Sequence, residues 1–285
     1  MTRIREDIQI IENATAGQRC IVRPITGRTW LDWHIEHGGL TLAQITNIKV
    51  LLVSANRTLT LQEYKDGAEL DEINKRYGRK TEAGTLSFYF RRPEMETEME
   101  RMAYALGTGG LSMVRVEFDI ASGTTPVIKA WGKKTAERPV QLGYLTQVVA
   151  HNSGGNAEGD NHFDSIDLRD RIAAIHIKND KVLKAELRVD DAIAFNLDRA
   201  RADFDQEGAV VPRVPYAADK GFCLDFLQAG VTDETLVMRD DKKGYRVRQM
   251  RLTTTLGASA NSTVRYVTEY ITSWNDLVRP AAQFA

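Results

Sequence analysis

The chain reads as an all-β protein made of two sandwiches or jelly rolls in tandem, with short helices set between the strands. Three observations carry that reading. Strand-forming segments recur along the 285 residues. A drop in apolar content with a proline falls near the middle, at TAERPVQLG (135–143). Each half then follows one scheme of about seven or eight strands, short turns and a helix, without a residue-level repeat. Antiparallel strands at spacings of about 8 to 12 residues close into sandwiches or jelly rolls.

In the first half, RCIVRPI (19–25), TWLDWHI (29–35), ITNIKVLLVS (45–54), TLTLQEY (58–64), TLSFYFRR (85–92), SMVRVEFDI (112–120) and PVIKAWGKK (126–134) are rich in β-branched and aromatic residues. Val114, Val116 and Phe118 alternate with Arg115, Glu117 and Asp119, as in a strand with one buried face. Two helices interrupt. DGAELDEINKRYGR (66–79) has an Asp cap and sets Leu70, Ile73 and Tyr77 on one face. EMETEMERMAYALG (94–107) sets Met95, Met99, Met102 and Leu106 at helical spacing, a stripe that reads as core, with Pro93 in its first turn.

The stretch at 135–143 is the best linker and divides the chain into domains 1–138 and 139–285. Beyond it, GYLTQVVAHN (143–152), RIAAIHIKN (171–179), KAELRVDDA (184–192), GFCLDFLQAG (221–230), YRVRQMRLTTTLG (245–257) and TVRYVTEYITSW (263–274) read as strands. IAFNLDRARADFDQEG (193–208) reads as a helix ended by Gly208, and DDKKGY (240–245) as a hairpin turn with Gly244 in a left-handed conformation.

Composition narrows the function. Lys plus Arg number 38 against 39 Asp plus Glu, a net charge of -1, and the signs are interleaved, so no basic surface for specific nucleic-acid binding is expected. The start MTRIREDIQI places Arg3, Arg5, Glu6 and Asp7 where a signal peptide needs apolar residues, which predicts synthesis and folding in the cytoplasm. Cys20 and Cys223 are far apart in apolar strands with no metal-ligand spacing, and read as buried free thiols.

Signals for catalysis are weak. The chain has no GxSxG, HExxH or P-loop motif. His34 and His37 stand at i, i+3, a spacing that serves a helix better than a strand for joint zinc ligation. His176 lies on the strand face opposite Ile175 and Ile177 and reads as a hydrogen-bonded histidine at a packing layer or subunit contact. EGDNHFDSIDLRD (158–170) is an acidic, Gly-containing loop. If its carboxylates converge, Asp160 and Asp164 are candidates for a structural calcium ion, although the spacing is not that of an EF-hand. No other cofactor is expected. A jelly-roll carbohydrate-binding or carbohydrate-cleaving protein is the rival reading. It would need aromatic side chains with paired carboxylates on one sheet, yet alternation puts Trp30 and Asp32 on one face and Trp33 on the other.

Several stretches together resemble a known family. AGQRCIVRPITGRTW, LTLAQITNIKVLL, NKRYGRKTEAGTLSFYFRRPEM, RMAYALGTGGL followed by VEFDI, RIAAIHIK, FCLDF and VTEYITSW are similar, in order, to segments of the double jelly-roll major capsid proteins of tailless icosahedral bacteriophages, the corticovirus type above all. The loops at 151–170 and 205–220 match least. The resemblance implies two tandem eight-stranded jelly rolls, three chains closing into a pseudo-hexagonal homotrimer, and trimers tiling a virion shell. It implies no enzyme activity.

The implied partners are neighbouring trimers, penton and minor capsid proteins and an internal lipid membrane. In such capsids the termini lie toward the inside, so TRIREDIQII is expected either to face the membrane or the next trimer, or to form an edge strand. The join SFYFRRPEM would let the chain leave one sheet and return through the glycines at 107, 109 and 110. Arg91, Arg92 and Glu94 are then candidates for charged contacts within or between subunits.

Overall fold

The computed structural model describes residues 4–55, 57–136, 143–169, 171–240 and 244–273. Contacts group the chain into two units, one of Met1–Lys75, Arg79–Gln147 and Thr272–Ala285, the other of Arg76–Gly78 and Val148–Ile271. Most of the expected linker, 137–142, lies outside the described residues, as do 241–243 of the expected hairpin turn, although Gly244 has a φ of 64°.

The first unit holds β1 (Ile4–Ile8), β2 (Ile10–Glu12), β3 (Arg19–Arg23), β4 (Thr29–Gly38), β5 (Ile45–Val53), β6 (Thr58–Asp66), α1 (Gly67–Arg76, its last residue in the other unit), β7 (Thr85–Tyr89), α2 (Glu98–Ala103), β8 (Leu106–Gly107), β9 (Met113–Ile120) and β10 (Val127–Thr135). One sheet runs β1-β10-β4-β7 with β8 beside β4; the other runs β6-β5-β9-β3-β2. Along β9 the alternation read from sequence is the burial pattern itself, with Val114, Val116 and Phe118 buried. In β4 both faces are covered, so Leu31, Trp33 and Ile35 and also Trp30, Asp32 and His34 are buried. Residues 4–12 form edge strands, β1 against β10 and β2 against β3.

Close approach dictates one glycine. A Cβ on Gly132 in β10 would lie 2.7 Å from Trp33 Cδ1, 2.8 Å from the Asp32 carbonyl oxygen and 2.9 Å from Trp30 Cζ3. We expect Gly132→Ala to cost about 1–3 kcal/mol by overpacking, measured as a lower urea midpoint; an unchanged midpoint would show that the indole rings yield freely.

Helix α1 begins as the sequence predicts. The Glu69 N–H donates to Asp66 Oδ1 and the Glu69 carboxylate accepts from the Lys65 N–H, while Leu70 and Ile73, with Tyr77 just beyond the helix end, are buried. Helix α2 corrects the expectation for 94–107. It is six residues long and is capped by Thr97, whose hydroxyl accepts from the Glu100 N–H, so Pro93 precedes it by a turn. Met95 and Met102 are buried, but Met99 is 83% exposed, because the short helix does not carry helical spacing back to Met95.

β11 (Tyr144–Ser153) begins in the first unit and continues into the second. The second unit adds β12 (Gly159–Phe163), β13 (Arg171–Lys178), β14 (Val182–Val189), β15 (Ala192–Asp198), α3 (Arg199–Glu207), β16 (Phe222–Asp225), β17 (Leu236–Val237), β18 (Arg239–Asp240), β19 (Tyr245–Arg246), β20 (Met250–Leu256) and β21 (Val264–Ser273). Its sheets run β16-β13-β21-β11, with β17 beside β13, and β12-β20-β14-β15. Between them lies a core that includes Ile175, Ile177, Leu187, Phe222, Leu224, Leu252 and Tyr266, with Phe163 stacked on Tyr266 at 4.1 Å.

Two expectations are corrected here. Residues 192–198 are a strand rather than the start of a helix, because they complete the ladder on β14 and only then does Asp198 cap α3, accepting from the Arg201 N–H. Residues 159–163, read as part of an acidic loop, pair with β20. Between β14 and β15, Asp190 and Asp191 take φ of 46° and 67°, the backbone of a tight hairpin turn. Both cysteines are buried free thiols, and burial pushes the Cys20 thiol up to about 12.

Candidate functional site

Of the three charged residues expected at contacts, Arg92 and Glu94 turn inward, within the first unit. Glu94 accepts from Arg79 Nη2 at 2.5 Å and Nε at 3.1 Å and from Arg92 Nε at 2.9 Å. Arg79 also reaches Asn74, and Arg92 reaches Thr146. Arg92 is 1% exposed, so of the contacts expected for it within or between subunits the structure shows those within the chain, to Glu94 and Thr146. Burial would push the Glu94 carboxyl up, but the charges of Arg79 and Arg92 outweigh it and hold it below the usual carboxylate range. Arg91 stays partly exposed, its Nε 3.9 Å from Asp32.

β4 and β7 bring together a serine, a histidine and an aspartate. His34 Nδ1 is 2.9 Å from Ser87 Oγ, its cross-strand partner, and Nε2 is 3.0 Å from Asp32 Oδ1, two residues away on the same face. The trio matches a hydrolytic triad by residue type only. Ser87 is 5% exposed and Trp131 stacks on the imidazole at 4.1 Å, so no substrate carbonyl can approach the hydroxyl. Strand alternation sets His34 and His37, three residues apart in β4, on opposite faces, and His37 Nδ1 meets the Leu40 carbonyl. Trp30 and Trp33 are fully buried and offer no platform to a sugar.

In the second unit His176 occupies the sheet face opposite Ile175 and Ile177, as alternation predicts. Its Nε2 is 3.1 Å from Glu269 and its Nδ1 is 2.9 Å from the Tyr216 hydroxyl. Burial favours the neutral ring, but the Cys223 sulfur beside it and the Glu269 carboxylate outweigh this and raise its pKa.

Nearby sits a charged group that sequence reasoning missed. Asp225 Oδ2 accepts from Arg76 Nη2 at 2.8 Å and Arg213 Nε at 3.0 Å, and Asp225 Oδ1 from the Leu227 N–H. Gln206 links Arg76 to the Cys223 carbonyl. Burial would raise the Asp225 carboxyl; the two guanidinium charges reverse the direction and lower it. The signal available in sequence was a lone carboxylate inside an apolar strand, Asp225 in FCLDF and Glu269 in YVTEYIT.

The calcium candidates do not converge. Asp160 accepts from the Thr255 hydroxyl at 2.5 Å, and Asp164 lies 3.4 Å from Arg251 Nε. Among the described residues no three His, Cys, Asp or Glu side chains gather to hold a metal ion. Asp160 and Asp164 thus meet different neighbours, a hydroxyl and a guanidinium.

Two sandwiches in tandem, each with a buried ion cluster and, among the described residues, no open catalytic group, are an architecture that unrelated functions share, and the comparisons supply the class. The model of the viral coat protein P2 N-terminal domain matches residues 5–136, and that of its C-terminal domain matches 145–274. Major capsid protein P2 of Pseudoalteromonas phage PM2 is 26% identical over 279 residues, covering 94% of this chain and 97% of that one. The crystal structure of the PM2 protein superposes with a TM-score of 0.83 at 26% identity, over 96% of this chain and 98% of that one. The fold extends to the atomic structure of Sulfolobus turreted icosahedral virus, at TM-score 0.65, 11% identity and 99% and 94% coverage. It extends also to the quasi-atomic PBCV-1 virus capsid, at TM-score 0.60, 9% identity and 95% and 94% coverage.

The fold is the double jelly roll. This chain belongs to the viral coat protein P2 family. It is a structural protein of the virion shell, not an enzyme, and its partners include copies of itself.

Proposed function

We propose that three copies close into a homotrimer of six jelly rolls, whose pseudo-hexagonal outline lets trimers tile an icosahedral shell. Neighbouring trimers, penton and minor capsid proteins are its protein partners, and the shell encloses an internal lipid membrane and the genome. The observation that carries this is the full-length match of both halves, in order, to the two domains of one coat-protein family. A cyclic trimer satisfies its own contacts while its rim stays available for lattice contacts. The membrane rests on the family resemblance, and no helix among the described residues is long and apolar enough to cross one.

Light scattering on the purified protein tests the reading. The expected particle has three times the chain mass, and micrographs of the same sample show hexagonal arrays or shells. A stable monomer with no tendency to associate would sink the proposal.

A further inference from the structure

We propose that the outward face of the sheet β12-β20-β14-β15 is a self-complementary contact between two copies of this chain. The two copies are related by a two-fold axis running along β20. The inference rests on the coat-protein reading and adds to it the surface and its symmetry.

The register places three rows on this face. Asp160, Thr255 and Lys184 form one row, His162, Thr253 and Glu186 the next, and Arg251 stands directly opposite Arg188 in the third. Asp164, just past the end of β12, extends the third row through its ion pair with Arg251. The face is concave, with a cavity of about 370 Å³ lined by polar and charged side chains. Three cations, Lys184, Arg188 and Arg251, meet three acids, Asp160, Glu186 and Asp191.

That balance selects the occupant. A polyanion would meet as many acids as bases, so nucleic acid and an anionic lipid surface gain nothing here. A sugar would find no Trp, Tyr or Phe ring among the lining residues. A partner carrying both signs in a fixed pattern is a protein surface, and this face supplies that pattern itself. Rotation about an axis along the central strand exchanges the β12 column with the β14 column. Asp160 then faces Lys184, His162 faces Glu186, and Asp164 faces Arg188. Rotation about an axis across the strands would instead bring Lys184 onto Arg188 and Asp160 onto Asp164, whereas the axis along β20 sets only Arg251 against its own copy, so the charges distinguish the two arrangements.

Arg188 and Arg251 stand directly opposite each other, each paired with one carboxylate of its own chain, Glu186 and Asp164, and the two arginine side chains are 49% and 47% exposed. Asp164 of a second copy would set a further acid against them. A polar, half-hydrated face suits a reversible contact between closed particles better than the apolar contact expected to close an obligate trimer.

The experiment uses two full-length variants. One makes the β14 column acidic, Lys184→Asp with Arg188→Asp; the other makes the β12 column basic, Asp160→Lys with Asp164→Lys. Each alone is expected to lower the fraction in large assemblies by roughly tenfold or more, read by sedimentation velocity, because like charges then meet across the axis. The mass of the small species and the unfolding midpoint by circular dichroism stay those of the wild type. Mixing the two variants one to one restores assembly.

Variants that assemble like the wild type, or a mixture no better than either alone, would overturn the contact and leave the coat-protein reading standing. A wild-type chain that never associates would overturn both. Should a variant fail to fold, a salt titration of the wild type decides. Raising ionic strength from about 0.1 M to about 1 M shrinks the screening length to roughly 3 Å and is expected to release the small species; assemblies indifferent to salt would overturn the contact.

Discussion

Replacing Asp225 with asparagine is expected to destabilise the second unit by about 3–5 kcal/mol, the cost of leaving a buried charge without its partner. The carboxylate is the only acid bonded to both Arg76 and Arg213 among the described residues, and all three side chains are completely buried. Asparagine keeps the shape and can still accept from the Leu227 N–H, so packing is preserved and the lost charge is what the measurement reports. The two guanidiniums would stay charged next to each other, away from water.

The expected observation is an early urea transition, followed by a probe in the second unit because a chain with two units need not unfold in one step. Asp164→Asn serves as the control, since that carboxylate is on the surface and its ion pair is exposed to solvent. A change in the Asp225 variant no larger than in the control would mean that the arginines find water or another acid, and that the cluster does not hold the unit.

Glu94→Gln is the matching experiment in the first unit, with an expected loss of about 3–5 kcal/mol for the same reason. Glu94 is bonded to Arg79 and Arg92, and the neutral amide would offer one acceptor where the carboxylate has two. The pH dependence gives an independent readout. The folded-state pKa of Glu94 lies below its ordinary value of 4.5, so its contribution is fully present above that value and is lost as the pH falls through the folded pKa. Wild-type stability should therefore hold down to about pH 4.5 and decline in more acid solution, and the Glu94 variant should show a shallower acid decline. An identical acid slope in both proteins would assign the decline to other carboxylates.

These clusters also mark where local reading stopped. Arg92 and Glu94 flank a proline and look solvated, since nothing near them in sequence announces Arg79, fifteen residues from Glu94. Arg76 and Asp225 are separated by 149 positions. Spacing along a chain carries information only where the structure is periodic, and an ion cluster assembled from loops and strand ends is not. The same limit explains Met99. Its spacing fits a helical stripe, but a helix of six residues left it exposed.

What the amino-acid sequence determined by itself is the all-β character, the rows of buried residues on strands such as β9, the placement of His176 opposite Ile175 and Ile177, and the burial of both cysteines. Each follows from a local period or from a residue's cost in water. The tertiary structure alone decided which charges are interior, that 159–163 and 192–198 are strands, and that Asp160 and Asp164 face different neighbours. Those outcomes depend on which segment lies alongside another, and the free energy of burying or pairing a group belongs to that neighbourhood rather than to the residue.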